Sequence, residues 1–325
     1  MRLIEYFSTF DHVPAVPILG YPALAPLRLN SSTCLLEPSK HVKVVEYIRR
    51  EFDVDALLPL LDLTVEAEAL GATVQYREAD APQIGKTVDV KGVRRTHDKA
   101  RMPIMVRAAK KIRELSRDMS TGFYVTGPFT IVGQVIGLMN LLKLMPTEPE
   151  TLLPILDLAE ETASEYARQL EEAGVDFIVV AEPSSSLISV SQFNEFSKPH
   201  LRRLIQSTSI DVILHICGRS RHILAEMVNT GAAGISIDQN ISMVDAAKAT
   251  PSNIMVFGNY SPVNLMQEEP STIRVNVLRM LSDVKDKRNV VSSTGCDIPS
   301  RTPTANIKAF IEASKSIRRE QQANR

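Results

Sequence analysis

A histidine and two cysteines are the residues of this sequence best suited to metal chemistry. His215 and Cys217 lie one residue apart at the end of the apolar, β-prone run Asp211-Val-Ile-Leu-His-Ile-Cys217. Residues i and i+2 of a strand point to the same side, so both side chains can face one ion. An isolated pair of this kind is more often a core histidine beside an inert buried thiol. A third donor is needed, and Cys296 follows a second apolar run that ends in a glycine turn.

Two thiolates and one imidazole match the donor preference of Zn²⁺. Three protein ligands leave a fourth position open for a substrate, which is the catalytic pattern of zinc binding rather than the structural one. Closed structural sites usually carry paired Cys-x2-Cys knuckles, and the sequence has none. The sequence therefore predicts a catalytic zinc site formed by His215, Cys217 and Cys296.

Alternating apolar runs and helix-like segments must position these donors. Eight candidate strands lie near residues 16, 57, 124, 179, 213, 236, 256 and 292, and most are followed by a helix-like segment. Such alternation predicts an α/β fold, a closed (β/α)8 TIM barrel, with an open doubly wound sheet as the alternative. We expect one barrel domain over residues 1–325, with an N-terminal extension. An inserted segment near residues 73–103 is expected to form a hairpin and loops over one mouth of the barrel.

The active site of such a barrel lies at the C-terminal ends of its strands. Polar residues end four other predicted strands, and we expect them to bind substrate beside the zinc: Thr126, Glu182, Asp238 and Asn259. Glu182 and Asp238 are equally compatible with helix caps. Asn259 follows Gly258 and is also compatible with a turn.

The composition narrows the class of partner. Lys and Arg number 37 against 38 Asp and Glu, a formal net charge of −1. This balance gives no electrostatic basis for binding nucleic acid or a membrane surface. The N-terminus lacks a signal-peptide core, and polar residues interrupt the longest apolar stretch, residues 129–145. Three widely spaced cysteines do not suit a disulfide framework, so we expect a cytoplasmic protein.

Several motifs carry a resemblance to a known family. His215-Ile-Cys217 with Cys296 resembles the His-x-Cys…Cys zinc motif of the methylcobamide:coenzyme M methyltransferases, within the uroporphyrinogen decarboxylase superfamily. The likeness extends through residues 11–14, 66–71, 127–129, 172–176, 258–262, 295–299 and 302–306. It implies a barrel whose zinc binds a thiol such as coenzyme M, which then takes a methyl group from a methylated corrinoid protein. The sequence has no Asp-x-His-x-x-Gly corrinoid motif, so the corrinoid is expected on a separate partner protein.

Other functions within the same resemblance stay open. Uroporphyrinogen decarboxylases carry an arginine-rich segment near the N-terminus, where this sequence has Val16-Pro-Ile-Leu-Gly-Tyr-Pro22. Without those arginines a polycarboxylate lacks bidentate partners. A corrinoid methyltransferase that demethylates a small methyl donor is a second alternative, and a non-enzymatic metal-binding barrel is a third. Cobalamin-independent methionine synthase has a similar zinc site, and by that likeness Asp238 is a candidate fourth ligand.

Overall fold

Six parallel strands form the central sheet of this computed structural model, which describes residues 1–96 and 100–319. Residues 97–99 of the predicted insertion and the end of the C-terminal tail lie outside the described residues. A separate two-stranded antiparallel sheet consists of β1, Thr73–Gln75, and β2, Gln83–Lys86. The strands of the central sheet follow chain order: β3 Gly122–Thr126, β4 Phe177–Ala181, β5 Asp211–Ile216, β6 Gly234–Ile237, β7 Met255–Tyr260 and β8 Val290–Thr294.

Two extended N-terminal segments close this sheet into a ring. Ala15 forms a parallel bridge with Ser292 of β8, and Leu57 forms a parallel bridge with Thr121, just before β3. The two segments are joined by the Asp55 N–H, which donates to the Ala15 carbonyl at 3.0 Å. The predicted α/β barrel is therefore confirmed. Among the described residues the ring has eight members, the six strands β3 to β8 and the two N-terminal segments. The first two are single bridges rather than full strands, because prolines at 14, 17 and 59 lack the N–H that a ladder requires.

Helices occupy most of the chain between these strands. The α-helices are α1 Leu3–Ser8, α2 Leu24–Leu27, α3 Ser31–Leu36, α4 Pro38–Glu51, α5 Val65–Ala69, α6 Met102–Leu115, α7 Pro128–Ile136, α8 Leu138–Thr147, α9 Pro149–Glu172, α10 Val190–Gln192, α11 Lys198–Gln206, α12 Leu224–Val228, α13 Met243–Ala249, α14 Pro262–Gln267, α15 Pro270–Ser282 and α16 Thr304–Ser316. Short 3-10 turns cover Tyr21–Ala23, Val90–Gly92, Pro183–Leu187 and Arg221–Ile223, and a π-helical turn, Phe193–Ser197, joins α10 to α11.

The apolar stretch 129–145 differs from the single helix that its composition predicts. It forms α7 and α8, which meet at an angle of 109°. Gly137 lies between them with φ of +89°, a backbone conformation that favours glycine and ends the first helix. No single helix within the described residues has the length and apolar character needed to cross a membrane; only this bent pair meets both criteria, and only when its two members are taken together.

The N-terminal extension closes one end of the barrel. Leu3 and Phe7 of α1 belong to the same apolar cluster as the inward-facing strand residues, and the Phe7 ring contacts Phe257 of β7 with centroids 5.5 Å apart. The Leu3 N–H also donates to the carboxylate of Asp211, the first residue of β5, at 2.6 Å. This contact lies at the N-terminal end of a strand. The mouth at the C-terminal ends of the strands is therefore the one that can hold a functional site.

The insertion is held to the barrel by a buried ion cluster. Arg101 is 3% exposed and bonds Asp62 at 2.5 Å and Glu68 at 2.6 Å. At the hairpin turn, Ser300 donates to Asp80 at 2.8 Å. Ser300 belongs to the loop after β8, so the insertion reaches the loop that carries Cys296.

Candidate metal centre

The curvature of the sheet brings the three predicted metal ligands together. His215 lies near the end of β5, Cys217 directly follows that strand, and Cys296 lies two residues beyond the end of β8. Their potential ligand atoms all lie within 4.8 Å of one another. Asp211, Ile213, His215 and Cys217 alternate along one side of β5, and Ile213 belongs to the cluster inside the barrel. Strand period and ring closure together therefore place the donors at the C-terminal mouth.

His215 presents one ring nitrogen toward this cluster. The residue is 2% exposed, and its Nδ1 lies 2.9 Å from Ser236 Oγ on the neighbouring strand β6. The Nε2 atom is buried and has no hydrogen-bond partner in the described part of the chain. A proton on Nδ1, donated to Ser236, leaves a lone pair on Nε2. A hydrogen bond of this kind orients a metal-ligating imidazole and selects its tautomer.

A hydrogen bond between the two thiols shifts their pKa values in opposite directions. A hydrogen bond from Cys296 lowers the pKa of Cys217. The same bond, followed by burial, raises the pKa of Cys296. The two sulfurs and an imidazole nitrogen of His215 lie within 4.8 Å of one another. This set of one nitrogen and two sulfur donors, open to a further ligand, fits Zn²⁺.

Asp238 and Asn259 hold the loops around the cluster. Asp238 is 3% exposed and accepts hydrogen bonds from the N–H of Gly218 and the N–H of Asn240, both at 2.8 Å. It therefore fixes the turn that follows Cys217. The Asn259 amide donates to the Asp238 carbonyl at 2.9 Å and also to the Ile241 carbonyl. Asp238 lies outside the group of donors that the structure brings within reach of one ion. A direct role of either residue in substrate binding remains a prediction.

Thr126 is bound to a buried glutamate. Its N–H donates to Glu66 Oε1 and its hydroxyl lies 2.8 Å from Glu66 Oε2, while the hydroxyl is also 3.1 Å from the Leu63 carbonyl. Neither Thr126 nor Glu66 has measurable exposure, and burial raises the pKa of Glu66 to about 7. This pair joins helix α5 to strand β3, and binding of substrate by Thr126 remains a prediction.

Glu182 caps the N-terminus of helix α7. Its carboxylate accepts hydrogen bonds from the N–H groups of Phe129, at 3.0 Å, and Thr130, at 2.6 Å, and from the Thr130 hydroxyl. Burial raises the pKa of Glu182 to about 7. A Cβ on Gly127 would lie 2.3 Å from the Glu182 carboxylate, so this contact requires glycine. Glu182 follows the inward-facing Ala181 and points to the helical layer, while its predicted role toward substrate stays a prediction.

Two polar residues near the cluster were not expected from the sequence. The Tyr124 hydroxyl is buried without a hydrogen-bond partner among the described residues, and so is Oδ1 of Asp297. Burial, the charge of Asp297 and the charge of Cys296 all raise the pKa of Tyr124. Tyr124 shares its strand face with Thr126, so the two-residue period was the available signal. The signal available for Asp297 was its position directly after Cys296.

Comparison with known proteins identifies the family. The family model described as uroporphyrinogen decarboxylase (URO-D) matches residues 30–317. The chain belongs to this family. The resemblance inferred from the His-x-Cys…Cys motif and its neighbours is thereby confirmed.

The similar proteins include coenzyme M methyltransferases and uroporphyrinogen decarboxylases. A "Methylated-thiol--coenzyme M methyltransferase" of Methanosarcina mazei is 26% identical over 270 residues, which cover 81% of this chain and 72% of that protein. A "Methylcobamide:CoM methyltransferase MtbA" of Methanosarcina acetivorans is 26% identical over 79% of this chain and 78% of its own. A uroporphyrinogen decarboxylase of a Synechococcus strain is 24% identical, with coverages of 82% and 79%.

A solved structure shares the whole architecture. A methyltransferase from Methanosarcina mazei superposes with a TM-score of 0.88 at 25% identity, and the match covers 97% of both chains. The predicted fold class is confirmed by this likeness over almost the full length.

We predict that Glu66 makes stability depend on pH. Its folded pKa of about 7 exceeds its ordinary 4.5, so its contribution is fully present below about pH 4.5 and is lost as the pH rises through about 7. Glu66→Gln keeps the shape, since the Thr126 hydroxyl can accept from the new amide and donate to Leu63. Between about pH 5 and 8 the free energy of unfolding of the parent protein should fall by on the order of 1–3 kcal/mol more than that of the variant.

Urea titrations at each pH measure this difference. The exposed Glu312→Gln is the matched control, because the Glu312 side chain is exposed and forms a surface ion pair with Arg274. Equal pH slopes for the parent protein and Glu66→Gln would show that burial does not shift this carboxyl.

Proposed function

We propose that this protein is a methyltransferase that moves a methyl group from a methylated corrinoid protein to a thiol, using Zn²⁺ held by His215, Cys217 and Cys296. The observation that carries the proposal is the convergence of these three donors at the barrel mouth, where His215 Nε2 is buried and has no hydrogen-bond partner among the residues that the structure describes. The names of the relatives, methylated-thiol and methylcobamide:CoM methyltransferases, supply the reaction class. Coenzyme M is the acceptor that those names suggest.

The donor set suits the chemistry of thiol activation. A free thiol is mostly protonated at neutral pH, and only its thiolate is a good nucleophile. Zn²⁺ in this site supplies the Lewis acidity that keeps an added thiol deprotonated. Two cysteine thiolates balance the charge of the ion, so an added thiolate stays electron-rich. Ser236 holds the imidazole in orientation, and Asp238 holds the turn after Cys217.

The transfer itself is a displacement at carbon. A bond forms between the thiol sulfur and the methyl carbon while the cobalt–carbon bond breaks. The electron pair of that bond stays on cobalt, which gives Co(I) and a methyl thioether. The chain has no corrinoid-binding motif of its own, and we infer that the corrinoid belongs to a partner protein that presents its face to the mouth. The three cysteines are free in the structure, and a cytoplasmic location is part of the same proposal.

The N-terminal segment argues against decarboxylation of a porphyrinogen. Val16 and Ile18 occupy the region of the decarboxylases' arginine-rich segment, and both belong to the apolar cluster inside the barrel. They are 2% and 4% exposed. A substrate with several carboxylates needs guanidinium partners there, and aliphatic side chains cannot provide them.

We predict about one Zn²⁺ per chain for the zinc-loaded protein, with loss of metal in Cys217→Ser and in Cys296→Ser. Ser236→Ala removes the partner of His215 Nδ1 and should weaken zinc affinity by about 10- to 100-fold. Ser293→Ala is the matched control, an inward-facing serine two strands away on β8. Elemental analysis and competition with a chelator measure these affinities, while circular dichroism should show that the fold survives. Full zinc retention in both cysteine variants would exclude the site.

We predict that the zinc-loaded protein converts methyl-Co(III) to Co(I) only when a thiol is added. The test follows the cobalt absorption spectrum with methylcobalamin, or a methylated corrinoid protein, as donor. His215→Ala and the chelated protein should both be inactive, because the thiol then remains protonated. Demethylation without thiol, or at the same rate in His215→Ala, would refute the mechanism. Methylation of Co(I) by a small methyl donor would instead assign the protein to the opposite step.

A further inference from the structure

A single loop contacts the chain beside both cysteines of the metal centre. This β6 loop, residues 238–240, directly follows strand β6. Its first residue, Asp238, is 3% exposed, and its Oδ2 atom accepts a hydrogen bond from the N–H of Gly218 at 2.8 Å. Gly218 is the residue directly after Cys217. The β6 loop therefore holds the segment that carries the first thiol.

The second contact of the β6 loop is with Gly295, the residue directly before Cys296. A Cβ on Gly295 would lie 2.5 Å from the backbone nitrogen of Gln239 and 2.6 Å from its Oε1 atom, so no side chain fits there unless the chain moves. Gly295 is not among the glycines with positive φ. The close approach of the β6 loop is therefore what requires glycine at this position.

The carboxylate of Asp238 is fully engaged in holding these loops. Its Oδ2 atom accepts from Gly218, and its Oδ1 atom accepts from the backbone N–H of Asn240 at 2.8 Å and from the Asn240 amide at 2.5 Å. The Asp238 carbonyl accepts from the Asn259 amide at 2.9 Å. Asp238 also lies outside the group of donors within reach of one ion. The β6 loop thus has a fixed shape and can act as a spacer.

We propose that the β6 loop sets the separation of the Cys217 and Cys296 thiolates, with Asp238 and Gln239 as positioning residues. This inference rests on the proposed function, since it assumes that the two thiolates bind one Zn²⁺. Zn–S bonds are about 2.3 Å long and the coordination is tetrahedral, so the site tolerates little change in the distance between its sulfurs. A fixed separation also keeps the fourth position open to an added thiol.

Gly295→Ala tests the contact beside Cys296. The added methyl group has no room next to the Gln239 backbone, so the segment that carries the second thiol must move away from the β6 loop. We expect zinc affinity to fall by about 10- to 100-fold, the range for groups that orient metal ligands. Gly92→Ala is the matched control and should leave the affinity unchanged. Among the described residues its Cβ would meet only Val88, at an ordinary 3.4 Å, and its φ is not positive.

Asp238→Asn tests the contact beside Cys217 without adding volume, so it remains informative even if Gly295→Ala does not fold. An amide nitrogen cannot accept, so the N–H of Gly218 or of Asn240 loses its acceptor. We expect zinc affinity to fall by about tenfold, as for loss of one charge-assisted hydrogen bond. Asp176→Asn is the matched control, because Asp176 accepts from a backbone N–H at 2.8 Å at the opposite end of the barrel.

The double variant, Asp238→Asn with Gly295→Ala, distinguishes one spacer from two independent effects. If one loop sets the separation, the second change has little left to disturb, so the loss of zinc affinity should be well below the product of the two single losses. Cobalt(II)-substituted proteins give a second readout, because their visible absorption reports the arrangement of the ligands. We expect a shifted spectrum for Gly295→Ala and an unchanged one for Gly92→Ala.

Three results would overturn the inference: a folded Gly295→Ala protein with the zinc affinity of the parent protein, an unchanged affinity in Asp238→Asn, or single losses that multiply in the double variant. Failure of the proposed function has a different signature, because zinc affinities would then change as expected while methylcobalamin stays intact in the presence of the zinc-loaded parent protein and a thiol. A parent protein that binds no zinc would refute the metal site and the inference together.

Discussion

Ala15 pairs with Ser292 in a parallel bridge, and this pairing closes a sheet that would otherwise have two free edges. The position of the metal donors depends on that closure. Strands β5 and β8 are three places apart in the sheet, which in a flat sheet separates them by roughly 14 Å. The donor atoms of His215, Cys217 and Cys296 nevertheless lie within 4.8 Å of one another. Only a sheet that curves back on itself brings side chains from these strands to one point.

Two buried acids connect the strands to the helices around the barrel. Each parallel strand delivers the chain to a helix whose first N–H groups need acceptors. Glu182 caps α7 in this way, and Glu66 binds the end of β3 through Thr126. Both carboxyls are fully buried, and burial raises the pKa of each to about 7. These acids fix helix α5 to strand β3, and strand β4 to helix α7.

How much of this could be read from the sequence differs from residue to residue. The convergence of His215, Cys217 and Cys296 was predictable, because strand alternation places the first two side chains on one side of their strand and eight alternations imply a ring. The weak strand pairing near residues 16 and 57 was not predictable, because a run of apolar residues does not show whether its prolines permit a hydrogen-bonded ladder. The break at Gly137 was likewise hidden within an apolar helix-like stretch.

Side-chain hydrogen bonds account for the remaining difference. At the level of sequence, Glu182 is an acid at a strand end, equally suited to a helix cap and to a substrate. Successive residues of a strand point to opposite sides, so the inward position of Ala181 turns Glu182 outward to α7. The sequence alone does not show that position. Tyr124 was not identified from its apolar strand, since nothing in the sequence shows that its hydroxyl has no partner among the described residues. Such groups emerge only from complete accounting of buried donors and acceptors.

The central claim is that three side chains of this chain bind Zn²⁺ and leave one position for a thiol. X-ray absorption at the zinc edge tests it most directly, with spectra of the zinc-loaded protein taken before and after addition of a thiol. We expect one imidazole nitrogen, two sulfurs and one light atom at first, and a third sulfur in place of the light atom after addition. A coordination shell that already holds four protein ligands, or a sulfur count that stays at two when thiol is added, would contradict the claim.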